Sequence, residues 1–317
     1  MSEPVTLNGK RYLKADLHCH SYFSGKTNHV KALEPMDCYS SPLGVYRRAK
    51  SRGMDLVTIT DHDSIEGCLN FLEQFPEKIH EDFFIGEEVT ARLPQFGAKV
   101  HIAVYDITEA QHQEITRLKG NFDELVPYLR SQKVIYVLNH IFHDFPKQQY
   151  GARFIDKMLE SFEIFEGLNG AIGPTQNGLV SYLITRNPGK ILVAGSDSHT
   201  LVRLGTCFTL GKGEKRGEFL QSLRTGEVAM AGQNGRFTDI FGDAMGVYLA
   251  YFRDLSLRNQ VHAQWSPMKK VRNGFGWLGY LPVFFVLSLS YSFIYYQLEK
   301  RKYPYYRQLI EEATNSR

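Results

Sequence analysis

Histidines and carboxylates stand together at recurring places in this 317-residue chain. His18 and His20 lie in DLHCHS, His62 in TITDHDS, His140 in VLNHIFH and His199 in GSDSH, accompanied by Asp16, Asp61, Asp63, Asp197 and the Glu88 of GEEVT. Neutral imidazoles and carboxylates gathered at one point ligate divalent ions, and this mixture suits Zn, Fe or Mn better than Ca or Mg. In an HxH on an extended segment the two imidazoles share a face, because side chains alternate with period two. Cys19 between them then points the other way, into the core. Any one of these histidines taken alone reads as an ordinary core or surface residue. Their recurrence in register with strand ends is what marks the set as chemical.

The elements that must position them can be read from the same stretch. Seven runs have strand character: 12–17, 55–60, 83–89, 100–105, 134–139, 162–168 and 191–195. Helical patterns fall between them, including 42–52, opened by Ser41 as a cap with Pro42 in the first turn. Another spans 108–130, with Ile115, Leu118, Phe122, Leu125 and Leu129 at helical spacing. Strands joined by helical crossovers predict an α/β fold with a parallel sheet, open or closed into a barrel. In a closed barrel the C-terminal strand ends converge on one face, which would bring His18, His20, His62, His140 and His199 together.

These segments resemble the successive motifs of the polymerase and histidinol phosphatase (PHP) family of metal-dependent phosphoesterases: DLHCHS, TDHDS, the GEE segment, the His101 of VHIAVY, the His140 of LNHIF, and GSDSH. The resemblance covers roughly residues 10–235 with the motifs in order. It implies a distorted (β/α)7 barrel holding two or three transition-metal ions, Zn, Mn or Fe. His18, His20 and Asp197 would hold one; Glu88, favoured over Glu87 by the family's Gly-x-Glu pattern, would bridge it to a second held by His101 and His140. His62 and His199 would hold a third. The family's remaining third-site ligand has no counterpart at Ser24-Gly25-Lys26; Asp37, five residues before Pro42, takes its place by spacing, with His29 as the fallback. Such a site hydrolyses phosphomonoesters with a metal-activated hydroxide, and the TDHDSIEG form points to nucleotides or short oligonucleotides. Asp61 or Asp63 would orient ligand histidines or relay protons, although Asp63 serves equally as a helix cap before SIEG. Arg203 would contact a substrate phosphate or stand as a surface residue. Glu166 and Asn169 in FEIFEGLNG would take positioning roles, and His143 is not expected to be a ligand.

Composition excludes a disordered, collagenous or disulfide-built chain: 43% of residues are hydrophobic, 22% charged, and the four cysteines form no CxxC pair. Free thiols and a start without a secretory pattern make the cytoplasm the default location. The net charge of +3 is unevenly shared, since residues 251–317 carry ten Lys/Arg and four Asp/Glu. The remainder is therefore mildly acidic. We place a boundary at about 236, with a metal-binding barrel over 10–236 and a helical C-terminal extension over 237–317. Within the extension, 277–296 carries no charge and has aromatic residues at both ends. It reads as a peripheral membrane contact or as a buried or docked helix pair. No stable protein partner is implied. Two other readings compete: an amidohydrolase, which would want a metal-bridging Lys at the fourth strand and a lone Asp at an eighth, and a non-catalytic metal-binding module tethered by its C-terminal segment.

Overall fold

The computed structural model describes residues 5–7, 9–26, 34–143, 145, 150–256 and 261–315. Among the described residues, ten strands and ten α-helices follow one another: β1 (Val5–Leu7), β2 (Lys10–Asp16), α1 (Pro42–Ser51), β3 (Leu56–Val57), α2 (Glu66–Gln74), α3 (Lys78–Glu81), β4 (Gly86–Leu93) and β5 (Ala98–Tyr105). Then come α4 (Glu109–Leu118), α5 (Phe122–Ser131), β6 (Ile135–Leu138), α6 (Gly151–Ser161), β7 (Ile164–Asn169), α7 (Pro174–Thr185) and β8 (Ile191–Gly195). The chain finishes with β9 (Cys207–Lys212), α8 (Arg216–Thr225), β10 (Val228–Gly232), α9 (Phe237–Ser256) and α10 (Pro267–Asn315).

The α/β class holds, but the strands form two mixed five-stranded sheets rather than one parallel sheet. In the first, β2 pairs in parallel with β3 and antiparallel with β1 and β9, and β10 extends β9. In the second the order is β4-β5-β6-β7-β8, with β5 antiparallel to both neighbours and β6-β7-β8 parallel. The reversal of β5 has a local cause. Only Pro94–Phe96 and Gly97, the latter at φ 58°, separate it from β4. A hairpin is all that so short a connection allows, since a parallel return needs a dozen or more residues. The sheets meet through isolated parallel bridges, Val57 with Phe83 and His62 with Glu88 along one seam and Cys19 with Ser198 along the other.

Inward side chains from both sheets share one cluster, with Leu13, Ala15, Leu56, Ala103, Val137, Ile164 and Val193 closed from below by Phe219 and Leu223 of α8. A larger cluster lies between the second sheet and α4 to α7, and it takes in Tyr306, Leu309, Ile310 and Ala313 from the far end of α10. The helix expected over 108–130 is two helices: Thr108 and Gln111 form a capping box on α4, and Asn121 caps α5 after a break at Gly120. Ser41 caps α1 by accepting from the Gly44 N–H. All four cysteines are free and buried. Helix α10 is long and apolar enough to cross a membrane.

Candidate metal centre

Nine of the residues singled out in the sequence, Glu88 among them, meet in one cluster. Glu88, fully buried on β4, lies with its oxygens 3.2 Å from His18 Nε2, 3.8 Å from His20 Nε2, 2.9 Å from His62 Nδ1, 3.3 Å from His101 Nδ1 and 3.1 Å from His140 Nε2. Asp197 stands 3.4 Å from His18, 3.3 Å from His20 and 3.8 Å from His199. Asp37 closes the opposite side, 2.8 Å from His199 Nε2 and 3.5 Å from His62 Nε2. His29 lies outside the described residues.

His101 joins this group because β5 is reversed: its start, not its end, reaches the face where the parallel strands finish, with His101 opposite Thr90 in the register. The neighbouring Glu87 alternates away and meets His112 at 3.0 Å. Two of the gathered residues have positive φ, His140 at 24° and Asp197 at 50°. Backbone of this kind costs free energy and clusters at functional sites. Close packing holds the frame, since a Cβ on Gly195 would stand 2.7 Å from the backbone nitrogen of His18.

A shell of polar residues fixes the imidazoles. Glu166 accepts from His18 Nδ1 at 2.8 Å and, through its other oxygen, from the His140 N–H and from Asn169 Nδ2. Asn169 Nδ2 also reaches Asp197, and Asn139 Nδ2 donates to Glu88 at 2.8 Å. Partners of this type set ring orientation and tautomer in metal sites. Asp61 is turned from the cluster toward the Ser21 N–H, Ser21 Oγ and Ser24 Oγ; Ser24 Oγ in turn lies 3.0 Å from His20 Nδ1. Asp16 ties the loop after β8 to β2 by accepting from the Ser196, Gly205 and His18 N–H groups, while burial pushes its pKa up to about 6.

Two expected residues lie elsewhere. Asp63 neither caps α2, whose N-cap is Ile65, nor enters the cluster; it accepts from the Thr90 N–H and pairs with Lys119 at 3.2 Å. Arg203 is 9% exposed and is not a surface residue. Its guanidinium donates to the Gly170 carbonyl and pairs with Asp239 at 2.9 Å and Asp243 at 3.3 Å on α9. Its charge is thus occupied by α9 instead of facing a substrate.

The electrostatics are those of ligands and protons in balance. Burial alone would raise the pKa of Glu88, but His18 and His101 hold it well below the carboxylate range. Burial drives His20 down to about 3, helped by His199 and His62, which keeps this imidazole neutral and able to donate a lone pair. Burial would also lower His199, yet Asp37 outweighs it and lifts His199 to about 9. Among the described residues, every ion-pair partner of Glu88 and Asp197 is a histidine. Whether the set fits a metal can be judged from its hydrogen bonds. His18 Nε2, His20 Nε2, His62 Nδ1, His101 Nδ1, Glu88 Oε2 and Asp37 Oδ2 are buried without one. Buried polar atoms are nearly always bonded. Atoms this close that do not bond one another suit a shared cation. Four groups of three have ligand atoms within 4.8 Å: His20, His62 and His199; His18, His140 and Glu166; His18, His20 and Glu88; and His62, Glu88 and His101.

No family model matches the chain. A stretch of 77 residues, 24% of the chain, is 32% identical to an uncharacterized protein of Methanocaldococcus jannaschii. The matched stretch spans 44% of that curated relative's length. Among solved structures, PsfC from Pseudomonas syringae aligns with a TM-score of 0.48 at 15% identity, covering 70% of this chain and 92% of that one. An amidohydrolase from Chromobacterium violaceum with bound sulfate and no metal gives 0.44 at 15% identity over 68% and 97%. A proposed metal-dependent phosphoesterase from Bifidobacterium adolescentis gives 0.42 at 15% identity over 67% and 96%. Likeness at this level says nothing of this chain's chemistry.

Over the cluster opens a cavity of about 260 Å³. His62, Glu88, His101, His140, Asp197 and His199 form one side; His143, Ala171, Ile172 and Ile240 complete it. Ile240 belongs to α9, so the extension contributes to the cavity wall. Nothing in the sequence of α9 marks this residue, because an apolar position on an amphipathic helix looks the same whether it packs on a core or faces a ligand.

Proposed function

We propose that this chain is a metal-dependent phosphoesterase that hydrolyses phosphomonoesters, with nucleotides or short oligonucleotides as the substrate class. The observation that carries the reading is Glu88, a fully buried carboxylate within 3.8 Å of nitrogens from five histidines. Two or three ions of Zn, Mn or Fe would be held by His18, His20 and Asp197, by Glu88 with His101 and His140, and by His62, His199 and Asp37. Divalent ions supply a hydroxide at neutral pH and neutralise phosphoryl oxygens. The chain's own part is to bind and orient. Glu166 fixes His18, Asn169 fixes Asp197, and Ser24, anchored by Asp61, fixes His20. Ala171, Ile172 and Ile240 keep water from one side of the cavity. His143 brings an imidazole to the cavity wall outside the four ligand groups, and in this reading it would hand a proton to the departing alkoxide.

The distorted (β/α)7 barrel of the PHP resemblance stays part of this reading, and its support is limited to the parallel bridges that join the two sheets at both seams. The amidohydrolase reading, which would want a metal-bridging Lys at the fourth of the seven strands, is disfavoured by the glutamate the third strand brings to the centre of the cluster and by GSDSH at the seventh.

Purified protein reconstituted with Mn or Zn should retain two or three equivalents by elemental analysis. It should release phosphate from a panel of nucleotides, 3′,5′-bisphosphates and sugar phosphates, with His18→Ala inactive yet folded. Glu166→Gln should weaken metal affinity about 10- to 100-fold. Protein that retains no transition metal sinks the proposal; metal retained without phosphate release favours the binding-module reading.

A further inference from the structure

The middle of helix α10 exposes its apolar residues and buries several polar ones. Between 273 and 299 the face toward the rest of the molecule buries four polar residues, Asn273, Ser288, Ser292 and Glu299, along with the aromatic Trp277. Its outer face is apolar: Phe275 is 71% exposed, Val286 59% and Phe293 57%, with Leu278, Val283, Phe285, Leu287, Leu289, Ile294 and Leu298 also open. No charged residue occurs between Asn273 and Leu298. A helix on a water-soluble body normally has the opposite arrangement. Exposed apolar area of this extent marks an interaction surface.

The structure assigns this surface to a lipid bilayer, with α10 lying in the membrane plane rather than crossing it. Three observations select the occupant. The consecutive residues Phe285, Val286 and Leu287 are all open, an arc of about 200° at 100° per residue, which is wider than the stripe a single partner helix covers. Cationic residues bracket the apolar run, Lys269, Lys270 and Arg272 before it and Lys300, Arg301 and Lys302 after it, where anionic headgroups would lie. The helix also follows the body along its length. Trp277 and Phe284 stack with Tyr248, Phe285 meets Phe241, Glu299 packs against Gly173, and Tyr306, Leu309 and Ile310 enter the main core. A span of about 20 residues fills the hydrocarbon thickness, so crossing would drag these polar-backed contacts into lipid. Lying flat, the helix sinks about 5–10 Å and leaves the body in water.

The test uses the full chain and does not depend on catalysis. In flotation with vesicles of phosphatidylcholine and phosphatidylglycerol, the protein should rise with the lipid, more weakly with phosphatidylcholine alone. Val286→Asp/Phe293→Asp, which alters exposed positions only, should abolish flotation while leaving the thermal melt unchanged. Protein that stays at the bottom of the gradient overturns the proposal. So does a dimer in lipid-free buffer that the double variant splits into monomers, which would make a second copy the occupant. Arg272→Cys and Lys302→Cys settle orientation, since the four native cysteines are buried. In sealed membrane vesicles from cells expressing the protein, a membrane-impermeant thiol reagent should label both positions or neither. Labelling of only one would mean that the helix spans, and the in-plane assignment would fall.

Discussion

His199 shows how far protons and metal compete for the same atoms. Its Nε2 lies 2.8 Å from Asp37, and its pKa is lifted to about 9. Near neutral pH the ring therefore carries a proton that an entering ion must displace, because a metal ligates only the neutral form. Calorimetry of metal binding in buffers of different ionisation enthalpy should show protons released at neutral pH, with the release falling as pH rises past about 9. An unchanged enthalpy across buffers would contradict this assignment. At this scale the sequence was informative wherever a motif fixed both residue type and spacing. Asp37 rested on one spacing to Pro42, and the structure brings it against His62 and His199. Asp63 and Arg203 were placed by proximity to a motif alone. Proximity in sequence does not say which way a side chain turns when the chain bends at positive φ, as it does at Asp63.

Among the elements, α9 has the most to explain. It carries Asp239 and Asp243 to Arg203, sends Asp243 also to the hydroxyl of Thr200, and presents Ile240 to the cavity. The loop that bears Asp197 and His199 is thereby tied to the extension. Arg203→Ala should lower unfolding stability by about 2–3 kcal/mol, below the full cost of breaking a wholly buried pair because both carboxylates keep some exposure. It should also raise KM more than it lowers kcat; Arg203→Lys should recover part of the stability. Unfolding in denaturant and steady-state kinetics check both. The strand runs were legible from residue pattern, yet orientation was not. Alternation in β5 reads the same in either direction, and only the short 94–97 connection betrays the reversal. Strands β9 and β10 went unread because Gly211 and Gly232 lie within them and Gly213 and Gly226 flank them, and glycine lowers strand character without forbidding pairing.

For the molecule as a whole, the change of pattern near residue 236 coincides with the start of α9 at Phe237, but the extension does not stand apart. Leu309 sits against Gly151, where a Cβ would come within 2.3 Å of its side chain, and Tyr306 packs on Phe142 and Phe145. Leu309→Ala should cost about 2–4 kcal/mol, read as a lower thermal midpoint, and removal of residues 303–317 should leave an aggregating protein. A stable, soluble truncation would show that the core closes without α10. This docking was hidden in the sequence because KRKYPYYRQLI, with its charges and tyrosines, resembles a solvated helix end; only tertiary packing reveals which of its residues turn inward.

The same contact sets an order of events during synthesis. Residues through 235 leave the ribosome before 303–313 do, so the nascent chain already holds every histidine of the metal centre while Phe142, Phe145 and Phe154 still lack their cover. Apolar surface left open at that stage is a target for holdase chaperones and for association with neighbouring chains. Synthesis of the histidine cluster and burial of the aromatic surface are therefore separated in time, and the second waits for the far end of α10.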